Sequence, residues 1–402
     1  MGSVRTIIDA VMREGDSAVR KFTRQFDGAD LDEFSVSREE VKRAHNSLEK
    51  KMVTALELAA ENIRNFAEKQ KEQFLDFEYE IKPGVFTGQK VIPIQRVAVY
   101  APGGNFPLPS TVLMGAIPAQ VAGSQEIVLA SPPTFNNSIH PAILVAADIC
   151  GISEIYKIGG VQAIAALAYG TETIKQVDKI VGPGNKYVTA AKKLVFGAVG
   201  IDFIAGPTEV FIIADDSANS EHIAADLLSQ AEHDTNAVPI LITDSEQLAQ
   251  QVIDETEKQL TALKTADIAR ESIAKNGTII LVGKLQQAIE IANRKAPEHL
   301  ELQVRQPEDY ADKLLNYGSL FIGENAVEAL GDYSSGLNHT LPTNTTARYT
   351  GGLSVKDFLK FQTTLRVEKG GLIEIGPAAR EIGILEGLIG HAASIERRLK
   401  NQ

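Results

Sequence analysis

The octapeptide LLSQAEHD (227–234) closes an apolar helical run with an amide and an imidazole, Gln230 and His233, three residues apart. Residues at that spacing share one helix face, so both heads can address one point. An imidazole is a common ligand for first-row metal ions and an amide oxygen a rarer one, so the pair suits part of a mixed N/O site. For the octet alone, a helix C-terminus with a solvated polar face is the plainer explanation. The chain has seven histidines in all, and His45, His140 and His222 stand in contexts that read as solvated helix or loop. The other four sit beside acids, amides or glycines. His299 directly follows Glu298 in KAPEHLEL, His339 ends GDYSSGLNH seven residues after Asp332, and His391 lies five after Glu386 in EGLIGHAAS. One histidine is ordinarily structural; four so placed in a histidine-poor chain are harder to explain that way. Gln, His, Asp and His in mixed ligation suit zinc or a similar divalent ion, although the spacing carries no closed-site signature. Glu298 and His299 would supply acid and base beside it.

Such a set has to be gathered by the fold. Residues 1–80 read as helices, with EEVKRAHNSLEKKMVTALELAAENIRNFAEKQ the longest run. From about residue 93, short β-branched runs alternate with Ala-rich helical ones: RVAVY leads to STVLMGAIPAQVAG, EIVLAS to PAILVAADIC, EIYKIG to VQAIAALAYG and KIVGPG to KYVTAAKKLVFGAV. Successive βα units of this kind predict a parallel sheet covered on both faces. A second series, VPILITD, TIILVG and SLFIG, follows FIAGPTEVFIIAD. The fold class expected is therefore α/β, with two doubly wound units and helical segments at both ends. The last stretch, LSVKDFLKF to HAASIERRLK, reads as helical and lies outside both units, so it must pack on something, a partner subunit included.

Three loops after predicted strands look shaped for close approach of a ligand: YAPGGN (100–105), KIGGVQAIAALAYG (157–170) and VGPGNKYVTAAKK (181–193). Glycine permits tight backbone approach, and a following helix offers free N–H groups. As a dinucleotide fingerprint GPGNKY falls short, because Tyr187 occupies the third glycine position and no acid stands out about twenty residues on. A tight βα turn explains it as well.

The bulk numbers exclude whole classes. At 402 residues the chain can hold two or three domains, and 44% apolar with 23% charged residues is ordinary for a globular protein. A net charge of −12 argues against nucleic acid or an anionic membrane as partner. No segment approaches eighteen uncharged apolar residues, and the N-terminus, MGSVRTIIDAVMREGD, has no signal-peptide core, so a cytoplasmic location is expected. A single cysteine, Cys150, rules out an internal disulfide or a Cys-based zinc site and reads as a buried, inert thiol.

Taken together, REGDSAVRKFTRQFDG, VYAPGG with PSTVLMGAIPAQVAG, IGGVQAIAALAYG, VGPGN, AGPTEV, LLSQAEHD, APEHLEL, GDYSSGLNHTLPT and EGLIGH resemble the histidinol dehydrogenase family over nearly the whole chain. The resemblance implies two successive NAD-dependent oxidations, L-histidinol through the aldehyde to L-histidine, by a homodimer with shared active sites and one zinc per subunit. It implies one Rossmann-like unit inserted in another: 100–206 inserted, 1–99 plus 207–353 forming the other with its N-terminal helices, and 354–402 a helical dimerisation segment. Position by position, the metal ligands fall on Gln230, His233, Asp332 and His391, the last reaching across the dimer, and the acid–base pair on Glu298 and His299. Substrate contacts fall on Thr208, His339 and Glu386 together with Gln230, His233, His299, Asp332 and His391, and nucleotide contacts on Tyr100, Gln162 and Asn185. In that scheme zinc holds the substrate's imidazole and amino nitrogens. His299 takes the hydroxyl proton as hydride leaves for NAD, and Glu298 activates water to attack the aldehyde.

The wording departs from the family in places. Thr208 stands where serine is usual, the loop NFPLPST (105–111) is variable, and the chain is somewhat short at its N-terminus. ARYTGGLSVKDFLKF resembles paralogues that oxidise other small alcohols with NAD at the same zinc site. The alcohol thus stays open between histidinol and another small one. A zinc hydrolase would also use His, Asp and His with a neighbouring Glu, but has no need of three glycine-bearing βα loops. A metal-binding protein without catalysis has no need of Glu298 and His299.

Overall fold

The β-branched runs form strands and the Ala-rich runs form the helices between them. The computed structural model describes residues 2–103, 106–134 and 136–400, so Gly104 of the YAPGGN loop and Asn105, which opens the variable loop, lie outside the described residues. Two five-stranded sheets are parallel throughout. The first runs, in spatial order, Glu154–Lys157, Glu126–Ser131, Arg96–Tyr100, Lys179–Val181, Gly200–Ile201. The second runs Thr278–Leu281, Val238–Thr243, Glu209–Ala214, His299–Gln303, Ser319–Ile322. Numbered within each unit, both orders are 3-2-1-4-5, the doubly wound arrangement. Strands Arg96–Tyr100, Glu209–Ala214 and His299–Gln303 are buried at every position, as a sheet covered on both faces requires.

Helices from outside the first unit cover it. Gly2–Glu14 and Asp16–Asp27 share a core with Ala98, Tyr100, Ile164 and Val188, and Lys50–Lys71 packs with helix Pro109–Ala122. The apolar faces of the N-terminal helices thus lie against the first sheet. Helical reading of residues 1–80 holds to Lys71; Phe77–Lys82 is a strand, paired antiparallel with Val85–Pro93.

A third strand completes this small sheet and corrects an expectation. Leu359–Val367, inside the stretch read as helical, pairs antiparallel with Val85–Pro93. After Leu359 every position is exposed, so no period-two burial pattern marks it, and its partner is distant in the chain. The helices Lys369–Leu385 and Ile389–Lys400 follow, as expected. Cys150 is buried, and burial pushes its thiol up to about 12, which makes it inert. Among the described residues no helix is long and apolar enough to cross a membrane.

Candidate active site

Strands Glu209–Ala214 and His299–Gln303 are neighbours with His299 opposite Val210, so the residues that open them, Thr208, Glu209 and Glu298, meet at the amino edge of the second sheet. The chain reaches Glu298 through Ala296, fully buried in the left-handed region at φ 50°. That conformation costs a non-glycine residue roughly 1–2 kcal/mol, and strain of this kind gathers beside functional residues. Thr208 Oγ1 donates to Glu298 Oε2 at 2.7 Å, and the Glu209 N–H donates to the same oxygen at 2.9 Å. Nδ1 of His299 lies 3.2 Å from the carbonyl oxygen of Glu209. A carbonyl only accepts, so Nδ1 carries the proton there. Nε2, buried without a hydrogen-bond partner among the described residues and 3.6 Å from Asp332 Oδ1, is then the nitrogen that gains or loses the second proton.

Helix Glu328–Tyr333 presents Glu328 and Asp332 one turn apart, and ligand atoms of His233, Glu328 and Asp332 lie within 4.8 Å of one another. Gln230, fully buried in the last turn of helix Ser220–Ala231, places its amide between Thr208 Oγ1 at 2.5 Å and Glu328. With its nitrogen toward Glu328 it donates to both carboxyl oxygens, at 2.5 and 2.9 Å. With its nitrogen on Thr208 the amide oxygen faces the acids, an arrangement that only a proton or a cation between them stabilises. The second orientation is the one a metal ligand needs. His233 itself is exposed on the wall of a cleft of about 560 Å³ lined also by Met52, Leu56, Phe106, Leu113 and Tyr333.

The electrostatics follow from burying several acids around one imidazole. Burial pushes Glu298 up to about 7, against the pull of His299 and the hydrogen bonds from Thr208 and Glu209. Burial opposes charge on His299, but Glu328, Glu298 and Asp332 outweigh it and hold the imidazole well above its usual range. Burial likewise pushes Glu328 up to about 8. For Asp332, the histidines 299, 339 and 233 overcome burial and hold it below the usual carboxylate range. Deeper in the fold, Gln303 Nε2 donates to Asp226 at 3.0 Å and to Glu301 at 2.7 Å, and Glu301 Oε1 accepts from the Glu328 N–H at 3.2 Å. A buried carboxyl near neutrality can activate water, and the imidazole beside it can take a proton from a hydroxyl when the acids that hold it charged are neutralised.

Of the residues expected from the sequence, Thr208, Gln230, His233, Glu298, His299 and Asp332 come together here. His339 joins them, with its Nε2 3.4 Å from Thr111 Oγ1 and burial holding it below the usual imidazole range. Glu386 and His391 do not: both are exposed on the C-terminal helical segment. Glu328 was missed; its signal was the one-turn spacing to Asp332 in EALGD.

Tyr100, Gln162 and Asn185 lie at the carboxyl edge of the first sheet, where doubly wound units take ligands. The Tyr100 hydroxyl accepts from the Gly160 N–H at 3.0 Å, and the amide oxygen of fully buried Gln162 has no partner among the described residues. Asn185 caps helix Lys186–Val195, accepting from the N–H groups of Tyr187 and Val188. Gly182 has φ 116°, and a Cβ there would sit 2.1 Å from the Tyr100 carbonyl oxygen, so only glycine fits. The two units are bridged by helix Pro109–Ala122: Asn338 Nδ2 donates to the Met114 carbonyl at 2.8 Å, beside the His339–Thr111 contact.

A family profile described as histidinol dehydrogenase matches residues 1–399. A histidinol dehydrogenase of Lactiplantibacillus plantarum is 48% identical over 397 residues, covering 98% of this chain and 92% of that protein. One from Methanothermobacter thermautotrophicus is 47% identical over 401 residues, covering 100% and 94%. The crystal structure of histidinol dehydrogenase from Elizabethkingia anophelis matches with a TM-score of 0.95 at 42% identity, over 100% of this chain and 92% of that one.

Proposed function

The chain belongs to the histidinol dehydrogenase family and is a dehydrogenase, and from that premise we propose that it oxidises L-histidinol to L-histidine in two NAD-dependent steps at a zinc site shared within a homodimer. The observation that carries this reading is the Glu298–His299 pair: a buried carboxyl at about 7, held by two donors beside an imidazole whose Nε2 makes no hydrogen bond among the described residues. Zinc fits the donor set of the Gln230 amide oxygen, His233 and Asp332, with His391 supplied by a second copy of the chain. NAD fits the carboxyl edge of the first sheet, where Gln162 keeps an unpartnered amide oxygen beside Tyr100, and Asn185 heads a helix. When bound, zinc would supply the charge that orients the substrate's imidazole and amino nitrogens, and NAD the hydride acceptor.

The chain's own groups move the protons. Nε2 of His299, with Nδ1 committed to the Glu209 carbonyl, takes the hydroxyl proton in the first step once the charge of Glu328, Glu298 and Asp332 that holds the ring protonated is offset. In the second step Glu298 takes a proton from the water that adds to the aldehyde. Its Oε2 is held by Thr208 and Glu209, which leaves Oε1 for the transfer. Each positioned group contributes roughly 10²–10⁴-fold. His339 and Glu386, the latter from the second copy, complete the substrate pocket. In this reading the first sheet, with helices Gly2–Glu14 and Asp16–Asp27 packed on it, carries the nucleotide, the second sheet the reacting centre, and residues 354–402 the dimer contact.

Counting NADH at 340 nm against histidinol consumed, with zinc-loaded protein, tests the proposal. Two NADH and free histidine per histidinol support it. One NADH with accumulated aldehyde overturns the second step. None, from folded protein with zinc bound, overturns histidinol as substrate and leaves another small alcohol at the same site.

A further inference from the structure

Helix Asp16–Asp27 ends on an acid where a helix accommodates one least. The free carbonyls of a last turn carry negative partial charge that disfavours a carboxylate. Burial disfavours it further and pushes Asp27 up to about 6. Two local rules broken at one position point to function rather than stability. Asp27 Oδ2 lies 3.3 Å from Nε2 of Gln162, the residue whose amide oxygen is buried without a partner. Gln162 sits in the first turn of helix Gly160–Tyr169, whose Gly160 N–H donates to the Tyr100 hydroxyl, and that hydroxyl in turn feels the charge of Asp27. Asp27, Gln162 and Tyr100 are therefore one polar cluster at the carboxyl edge of the first sheet.

Doubly wound dinucleotide sites usually place an acid about twenty residues after the first βα turn, where it takes the ribose 2′-hydroxyl. Here strand Glu126–Ser131 runs into Pro132 and Pro133 and offers no acid at that end. We propose that Asp27, carried in from an N-terminal helix outside the unit, supplies the missing carboxylate: it accepts hydrogen bonds from ribose hydroxyls of the nucleotide and repels a 2′-phosphate, so that the site takes NAD in preference to NADP. Gln162, held by Asp27 through its amide nitrogen, turns its free oxygen to a donor on the same ligand. The inference rests on Tyr100 and Gln162 being nucleotide contacts, as proposed above.

Zinc-loaded protein titrated with NADH and with NADPH, read by nicotinamide fluorescence, tests it independently of turnover. In Asp27→Asn and Asp27→Ser, NADH affinity is expected to fall about tenfold while NADPH affinity holds or rises, a change on the scale of one lost charge-assisted hydrogen bond. The KM for NAD rises by the same factor with kcat unchanged. A neutral variant that keeps the wild-type melting temperature and the wild-type NADH-to-NADPH ratio overturns the role of Asp27. Wild-type protein that binds neither nucleotide overturns the nucleotide reading beneath it, a distinguishable failure.

Discussion

Burial lifts the Glu298 carboxyl from 4.5 to about 7, so ionising it at pH 8 costs about 3 kcal/mol at roughly 1.4 kcal/mol per unit. A folded-state pKa raised above the unfolded one stabilises the fold at low pH, and that contribution is lost as pH climbs through 7. Glu298→Gln keeps both accepted hydrogen bonds and removes the charge. Its apparent melting temperature is expected to exceed the wild type's by roughly 2–5 °C at pH 8 and to match it at pH 4. Oxidation of added aldehyde falls roughly 10²–10⁴-fold in the same variant. In the wild type that step rises with pH through about 7 as Glu298 loses its proton. Equal melting curves at pH 8 would remove the strain from the account, and unchanged aldehyde oxidation would remove Glu298 from the mechanism. His233→Asn takes an imidazole from the proposed metal cluster, and bound zinc and activity are expected to fall together; metal analysis that finds zinc retained would move the site elsewhere. These residues were legible because a glutamine, histidines and acids stand out in Ala-rich surroundings. Glu328 was not, because ENAVEALGD reads as an ordinary surface helix and its burial comes from packing on distant strand His299–Gln303.

Between residue and molecule, the loop after strand Lys179–Val181 is held from both sides by buried charge. Lys192 Nζ donates to the Gly182 carbonyl at 2.8 Å, Asp202 accepts from the Gly182 N–H at 2.8 Å, and the two side chains pair with each other. Both are almost fully buried, 5% and 1% exposed at the side chain. Lys192→Met leaves the Asp202 charge buried and alone, a loss of about 3–5 kcal/mol. Adding Asp202→Asn removes that charge and is expected to recover part of the loss. Urea denaturation of the two singles and the double measures the coupling, and additive effects would mean the pair does not act as a clamp. The βα alternation made both sheets legible, but neither their shared strand order nor this pair shows in the sequence, since spatial neighbours and buried partners are set by crossovers. Strand Leu359–Val367 was hidden for a related reason. Its exposed faces carry no alternation, and only the remote strand Val85–Pro93 makes it a strand.

The C-terminal segment leaves a large apolar surface uncovered, with Leu385 86%, Ile389 61% and Ile382 55% exposed. Exposed apolar groups so concentrated mark an interface, and the same segment carries Glu386 and His391, which one chain does not bring to His233 and Asp332. A two-fold dimer in which each copy lends its C-terminal turn to the other's cluster accounts for both facts. Such a site is split between chains, so two inactive variants can repair each other. In such a dimer His233→Asn and His391→Asn would each disable both sites of their own homodimer. In a mixed dimer one site collects both lesions and the other collects neither. Random mixing makes half the dimers mixed, so about one quarter of all sites regain wild-type composition. Co-expressed or co-refolded variants are therefore expected to recover about a quarter of wild-type activity, while the separate proteins stay inactive when mixed without exchange. If both residues instead served the same chain's site, every site would keep one lesion and no mixture would recover anything. Activity regained after subunit exchange thus reports the one feature of the site that a single chain cannot display.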